Sequence, residues 1–167
     1  MKWILIAVAV LVIVVAVVAV IGSFLPKAHV ASRSSRFRQP PQALWSVIIG
    51  PPEWRPDIRG FEELPRREGR RAWKETDKHG QVITYESVEE TPPTRLVTRI
   101  ADPKLPFGGT WTLQITPEAA GCVLDITEAG EIYNPIFRFV ARFVMGYTGT
   151  MEAYLKALHT KFGEAGG

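Results

Sequence analysis

The chain has 167 residues, with 20 Lys and Arg against 17 Asp and Glu, a length that suits a single domain. Only Lys2 of the basic side chains precedes Lys27; the rest of the chain is near charge balance and lacks the strong basic excess of a dedicated nucleic-acid binder. The lone cysteine, Cys122, excludes an intramolecular disulfide and a cysteine metal cluster, and its place in an apolar alternation reads as an inert packed thiol.

Trp3 to Gly22 runs without a charge. At 1.5 Å per helical residue, about 20 such residues cross a hydrocarbon layer of roughly 30 Å. The run therefore reads as a single-pass transmembrane anchor over residues 1–26, ahead of a domain over residues 27–167. The alternative is a cleavable signal peptide, whose apolar part is normally about 7–15 residues long and ends in a small-x-small site. Val20-Ile21-Gly22 before Ser23 matches that site poorly. Lys27, Arg33, Arg36 and Arg38 follow the run, and the positive-inside rule then favours a cytoplasmic domain. A short basic start before an apolar run is also how an exported domain begins. The same cluster suits either solvent or anionic lipid head groups, whereas Arg66, Arg67, Arg70 and Arg71 read as solvated strand faces and turns.

His29–Arg38 alternates in the manner of a strand. In "QPPQALWSVIIG" two prolines suit the entry of a helix, Gly50 its end, and Leu44, Val47 and Ile48 its apolar face. "PPEWRPDIRGF" is broken by prolines and predicts a loop with at most one helical turn. Short β-rich runs then alternate with turn signals, an antiparallel meander. In "GTWTLQITP" Trp111, Leu113 and Ile115 share one face and the threonines the other, the pattern of a sheet covered on one side. Leu124 and Ile126 mark the covered face of the next strand.

Asn134 and Pro135 read as the N-cap and first turn of a helix. At about 100° per residue, Ile136, Val140, Phe143, Val144, Tyr147, Met151, Tyr154, Leu155, Leu158 and Phe162 fall in one stripe about 120° wide. Arg138, Arg142, Gly149, Glu152, Lys156 and Thr160 fall opposite, and His159 lies toward that polar side. This predicts one continuous amphipathic helix from about Pro135 to Phe162. The charges on its back argue against a second membrane crossing. Gly146 and Gly149 weaken it by about 1 kcal/mol each relative to alanine, either for close packing or as a hinge.

The order of a strand, two short helical segments, antiparallel strands and one long final helix resembles the helix-grip fold of the START and birch-pollen-allergen-like proteins, the SRPBCC superfamily. "PPQALWSVI", "PPEWRPDI", "YESVEETPPTRLVTRI" and "GTWTLQITPEAAGCVLDITEAGEIYNP" resemble its polyketide cyclase/dehydrase and lipid-transport branch, over about residues 28–163. The resemblance implies an α+β fold in which a curved antiparallel sheet wraps the last helix. It also implies a pocket for an apolar or amphipathic ligand between the two. Trp73, Tyr85, Arg99, Trp111, Leu113, Leu124, Ile126, Phe143, Tyr147, Met151 and Tyr154 are the residues expected to line it. The superfamily hosts binders and enzymes on one scaffold, so the resemblance speaks to fold more than to chemistry.

Catalytic signatures are mostly missing: the sequence holds no G-x-S-x-G elbow, Walker loop, dinucleotide fingerprint or H-E-x-x-H. The three histidines lack metal-ligand neighbours at useful spacing, so neither metal nor cofactor is expected. If Leu124 and Ile126 face inward, strand parity turns Glu128 inward too, as a candidate base. Arg99, a cation in an otherwise apolar strand, is a candidate partner for Glu75 or Glu128. Tyr133 and Asn134 read as a cap and staple. Two functions remain open: a membrane-anchored binder of a lipid or other hydrophobic ligand, and a cyclase or dehydratase-like enzyme in the same cavity. A partner-binding domain with a collapsed cavity is a third.

Overall fold

A computed structural model describes residues 1–164. The charge-free run forms α1 (Lys2–Phe24), about 34 Å long at 1.5 Å per residue. It is one helix long and apolar enough to span a membrane. Its surface is exposed except around Val18, Ala19 and Gly22.

Seven strands follow: β1 (Ala28–Phe37), β2 (Ile58–Arg67), β3 (Arg70–Asp77), β4 (Val82–Thr91), β5 (Arg95–Ile100), β6 (Phe107–Glu118) and β7 (Gly121–Ile132). They form one antiparallel sheet in the order β1-β7-β6-β5-β4-β3-β2. Successive strands pair as hairpins from β2 to β7, and β1 closes against β7 through Phe37 opposite Cys122 and Ala31 opposite Glu128. A short helix, α2 (Pro41–Ile49), leaves β1 with proline in its first turn and buries Leu44 and Trp45. The segment after it is built of turns, one closed by Arg55 N–H to the Pro52 carbonyl at 2.9 Å, as its prolines dictate.

The two faces of the sheet separate by parity. Trp111 pairs with Glu128 and Thr98, Leu113 with Ile126 and Leu96, and Ile115 with Leu124. These residues share the concave face with Phe37, Trp73, Glu75 and Tyr85. The core lies here, where Phe37, Leu44, Trp45, Leu113, Ile115, Leu124 and Ile126 meet Met151, Leu155 and Leu158. Cys122 is buried among them with its thiol on the Gln39 carbonyl, and burial pushes that thiol up from its ordinary value.

The carboxy-terminal helix is not continuous. Asn134 caps α3 (Pro135–Val140), its side chain accepting from the amides of Ile136 and Phe137. A π-helical turn, Ala141–Met145, ends the first piece, closed by Gly146 N–H to the Ala141 carbonyl at 2.9 Å. Gly146 sits at φ 74°, a left-handed backbone that glycine reaches without a Cβ penalty and that ends a helix. The second piece, α4 (Gly149–Lys161), then starts afresh. An unbroken stripe in the sequence therefore hides two surfaces: α3 packs on α1, while α4 packs on the sheet. Gly149 opens α4 rather than weakening a longer helix.

Two side chains read as polar-face residues are buried. Arg138 donates through Nη1 to the Leu25 carbonyl at 2.8 Å and more weakly to the Tyr133 carbonyl. His159 contacts Ser35 Oγ at 2.7 Å and stacks on Phe37, with ring centroids 4.2 Å apart. Arg138 is covered because α3 packs on α1, and His159 because α4 packs on β1, neighbours that uniform helical spacing does not reveal. Arg33 on β1 completes the clamp, donating to Glu152 at 2.8 Å and to Thr148 at 3.0 Å.

Candidate functional site

The concave face presents a seam of aromatic rings under α4. Tyr154 receives the edges of Trp54 and Trp111, with centroids at 5.1 and 5.7 Å. Trp73 and Tyr85, opposite one another on β3 and β4, stack at 5.7 Å. Large flat side chains on facing strands and on the helix above them fill this space at a depth aliphatic residues do not reach.

A hydrogen-bonded polar pair sits on each side of the seam. Beside Tyr154, Arg55 donates to Glu75 at 2.8 Å and to Asp57 at 2.7 Å, and its guanidinium lies over the tyrosine ring at 5.5 Å. Trp73 Nε1 donates to the other Glu75 oxygen at 3.1 Å. Burial works against the Arg55 charge, but the Glu75 and Asp57 carboxylates outweigh it and hold the proton more tightly than in a free arginine. At the other end, Glu128 accepts from Trp111 Nε1 at 2.8 Å and contacts His29 Nε2 at 3.2 Å. The His29 ring stacks on Tyr147, 4.1 Å between centroids. Glu128 is thus on the concave face, and its two partners hold both oxygens.

Among the described residues neither the Tyr85 nor the Tyr154 hydroxyl takes part in a hydrogen bond. Burial pushes both phenols up from 10.0; Glu75 adds to the shift at Tyr85, and Arg55 partly opposes it at Tyr154. Both therefore remain neutral donors throughout the physiological range. A titration followed at 295 nm is expected to show late-ionising tyrosine, reduced in Tyr85→Phe and in Tyr154→Phe. Because each folded-state pKa is raised, their neutral-form stability is complete below pH 10.0 and lost as pH rises through the higher folded value.

The structure brings Trp73, Tyr85, Trp111, Tyr147 and Tyr154 to this seam. Leu113, Leu124, Ile126 and Met151 lie beneath it as packed core. Arg99 does not belong to it. It pairs across the ladder with Glu86, on the face opposite Trp73 and Trp111, and bonds that carboxylate rather than Glu75 or Glu128. The next residue along the strand from the Trp111-paired Thr98 necessarily points the other way. Phe143 is also elsewhere: it lies in the π-helical turn, packs on Phe139 and is exposed.

Arg55, Trp54 and His29 escaped sequence reading as site residues. The only available signal was the shared parity of Trp73 and Glu75, which announces a carboxylate on the covered face needing a cation. Two shallow surface depressions, of about 400 and 250 Å³, lie away from the seam, along Glu62, Lys74 and Thr76 and at the β2–β3 hairpin. The rings of the seam pack on one another, with centroids 4.1 to 5.7 Å apart. Among the described residues no group of three His, Cys, Asp or Glu is placed to hold a metal ion.

A family model described as polyketide cyclase/dehydrase and lipid transport matches residues 28–163. No curated protein sequence matches the chain. Among solved structures, norcoclaurine synthase from Thalictrum flavum is similar at TM-score 0.62 and 13% identity, covering 83% of this chain and 88% of that one. A protein from Mesorhizobium loti is similar at TM-score 0.61 and 16% identity, covering 81% and 97%. The di-domain ARO/CYC protein StfQ of the steffimycin biosynthetic pathway is similar at TM-score 0.61 and 15% identity, covering 80% of this chain and 50% of its own. At such identities these likenesses establish the helix-grip fold.

Proposed function

Since the chain belongs to the polyketide cyclase/dehydrase and lipid transport family, we propose that it is a membrane-anchored binding domain for a lipid or other hydrophobic ligand, held between the sheet and α4. The observation that carries this reading is the aromatic seam, with Trp54, Trp111, Tyr147 and Tyr154 between the Arg55–Glu75 and His29–Glu128 pairs. Rings offer an apolar body a large contact area, and the two polar pairs offer a polar head its orientation. Entry requires the rings to part. Such an opening would bend the chain at Gly146, between a helix packed on α1 and a helix packed on the sheet, and break the Arg33 bonds to Glu152 and Thr148. In this reading residues 1–26 are the tether and residues 27–167 the binding domain, and a ligand drawn from the bilayer gives the tether its purpose.

The test uses the full chain in synthetic-lipid nanodiscs with a photoactivatable fatty-acyl probe, followed by peptide mapping of the adducts. Adducts are expected on the peptides bearing Trp111 and Tyr147. Tyr147→Asp should reduce them about tenfold, the loss of one ring contact, and Lys156→Ala, exposed on the back of α4, should leave them unchanged. Adducts confined to α1 and α3 would remove the binding reading.

The His29–Glu128 contact favours a second reading, a cyclase or dehydratase-like enzyme in which Glu128 accepts a proton from a ligand lying against Tyr147. Glu128→Gln keeps the shape and the Trp111 contact while removing the base. Turnover of a polyketide-like substrate that survives this change would end that role.

A further inference from the structure

α3 packs beside the last turns of α1, and the contact is close. Gly22 is buried, and a Cβ added there would collide with the Pro135 carbonyl. Arg138 ties the two elements together through the Leu25 carbonyl. Val18 and Ala19, one turn earlier in α1, are the other covered part of that helix. If α1 spans the bilayer, α3 lies at the depth of its final turns and not above the head groups.

The exposed surface of this region has the composition such a depth demands. Phe137, Phe143, Val144 and Met145 are 49, 60, 72 and 75% exposed. Among the described residues after α1, every large exposed apolar side chain except Val30, Val82 and Val88 falls between Tyr133 and Met145. No acidic residue occurs between Glu131 and Glu152, whereas Arg138, Arg142 and the nearby Lys27 are basic. Three consecutive apolar side chains turned outward are a liability in water and an asset in lipid, where basic side chains reach back to the head groups.

We propose that α3 and the π-helical turn, with Phe143, Val144 and Met145 at its tip, insert into the bilayer interface beside α1 and fix the orientation of the domain on the membrane. This rests on the reading of α1 as a retained anchor, and it deepens the binding reading. Tyr147 follows the inserted tip by two residues and stacks on His29 beside Glu128. Insertion therefore sets the Tyr147 end of the seam at the lipid surface, and once the rings part an acyl chain passes from bilayer to seam without crossing water. The opposite end of the sheet, the turn Ala119–Ala120 between β6 and β7, stands roughly 35 Å away at about 3.3 Å per strand residue.

The experiment uses the full chain carrying Cys122→Ala, with one introduced cysteine labelled by an environment-sensitive fluorophore. Val144→Cys and Ala120→Cys are compared in vesicles of phosphatidylcholine and phosphatidylglycerol. The probe at 144 is expected to shift to shorter emission wavelength and to be quenched by lipids carrying a nitroxide near the head group. The probe at 120 should be quenched only by aqueous iodide. Flotation, resistance to alkaline extraction and intact mass are read in parallel. Intact chain that floats while the probe at 144 behaves like that at 120 overturns insertion and leaves the anchor standing. Cross-linking between two copies through position 144, without lipid quenching, overturns it in favour of a self-contact. Chain that fails to float, or that has lost α1, overturns the anchor and the insertion together.

Discussion

Leu158→Ala is expected to lower the unfolding free energy by about 3 kcal/mol, within the roughly 2–5 kcal/mol typical of a buried leucine truncated in a packed core. Leu158 is fully buried on α4, in one cluster with Phe37, Leu124, Ile126 and Met151. The cavity left by three carbons cannot refill without moving α4, which Arg33 and His159 hold to β1. The measurement is urea denaturation of the full chain in mild detergent, followed by its tryptophan emission, to which Trp45, Trp54, Trp73 and Trp111 of the domain contribute. Phe143→Ala is the matched comparison: also a large apolar residue of the same sequence stripe, but exposed, it should change stability by less than about 0.5 kcal/mol. Equal losses would mean that the stripe packs as one surface and that the break at Gly146 does not divide it.

That contrast marks where the sequence stops being informative. The sheet was legible because period-two alternation is a direct imprint of one covered face. Trp111, Leu113 and Ile115 predict their own burial side, and Glu128 follows Leu124 and Ile126 by parity alone. The capping of α3 by Asn134 was legible for a similar reason, since the chemistry is local. The helix break was not. Helical spacing reports which residues are apolar, whereas here two different neighbours, α1 and the sheet, consume the two halves of one stripe. A glycine at φ 74° decides between one surface and two, and glycine in a helical pattern carries no sign of the angle it will take.

The site was half legible for the same reason. Rings on the concave face could be listed from parity, but the partner of a buried charge depends on loops. Arg99 looked inward because its strand is apolar; one step of register from Thr98 sends it to Glu86 instead. The cation that Glu75 required comes from Arg55, in a proline-broken segment whose path no periodicity describes. His29 read only as the start of a strand. It faces Glu128 because β1 pairs with β7 across nearly the whole domain, placing Ala31 opposite Glu128 and His29 beside it.

Arg55→Met should be the most damaging single change at the seam, costing about 3–5 kcal/mol, because it strands a buried carboxylate. The Arg55 and Glu75 side chains are 15% and 11% exposed, and without the guanidinium only Trp73 Nε1 still addresses Glu75. Tyr154 loses the cation over its ring as well. Denaturation curves of four proteins separate stability from function: the parent, Arg55→Met, Glu75→Leu, and the double variant. Two apolar residues of similar volume are expected to restore the double variant to parental stability or up to about 4 kcal/mol beyond it, as apolar replacements of buried ion pairs often do. A pair that the fold does not need for stability, yet keeps under α4 among four aromatic rings, has its rationale in what it contacts. The double variant should therefore fold well and lose its photo-adducts on the Trp111 peptide. Adducts at the parental level in that stable protein would show that the ligand's polar end is read elsewhere, with the His29–Glu128 end of the seam then carrying orientation.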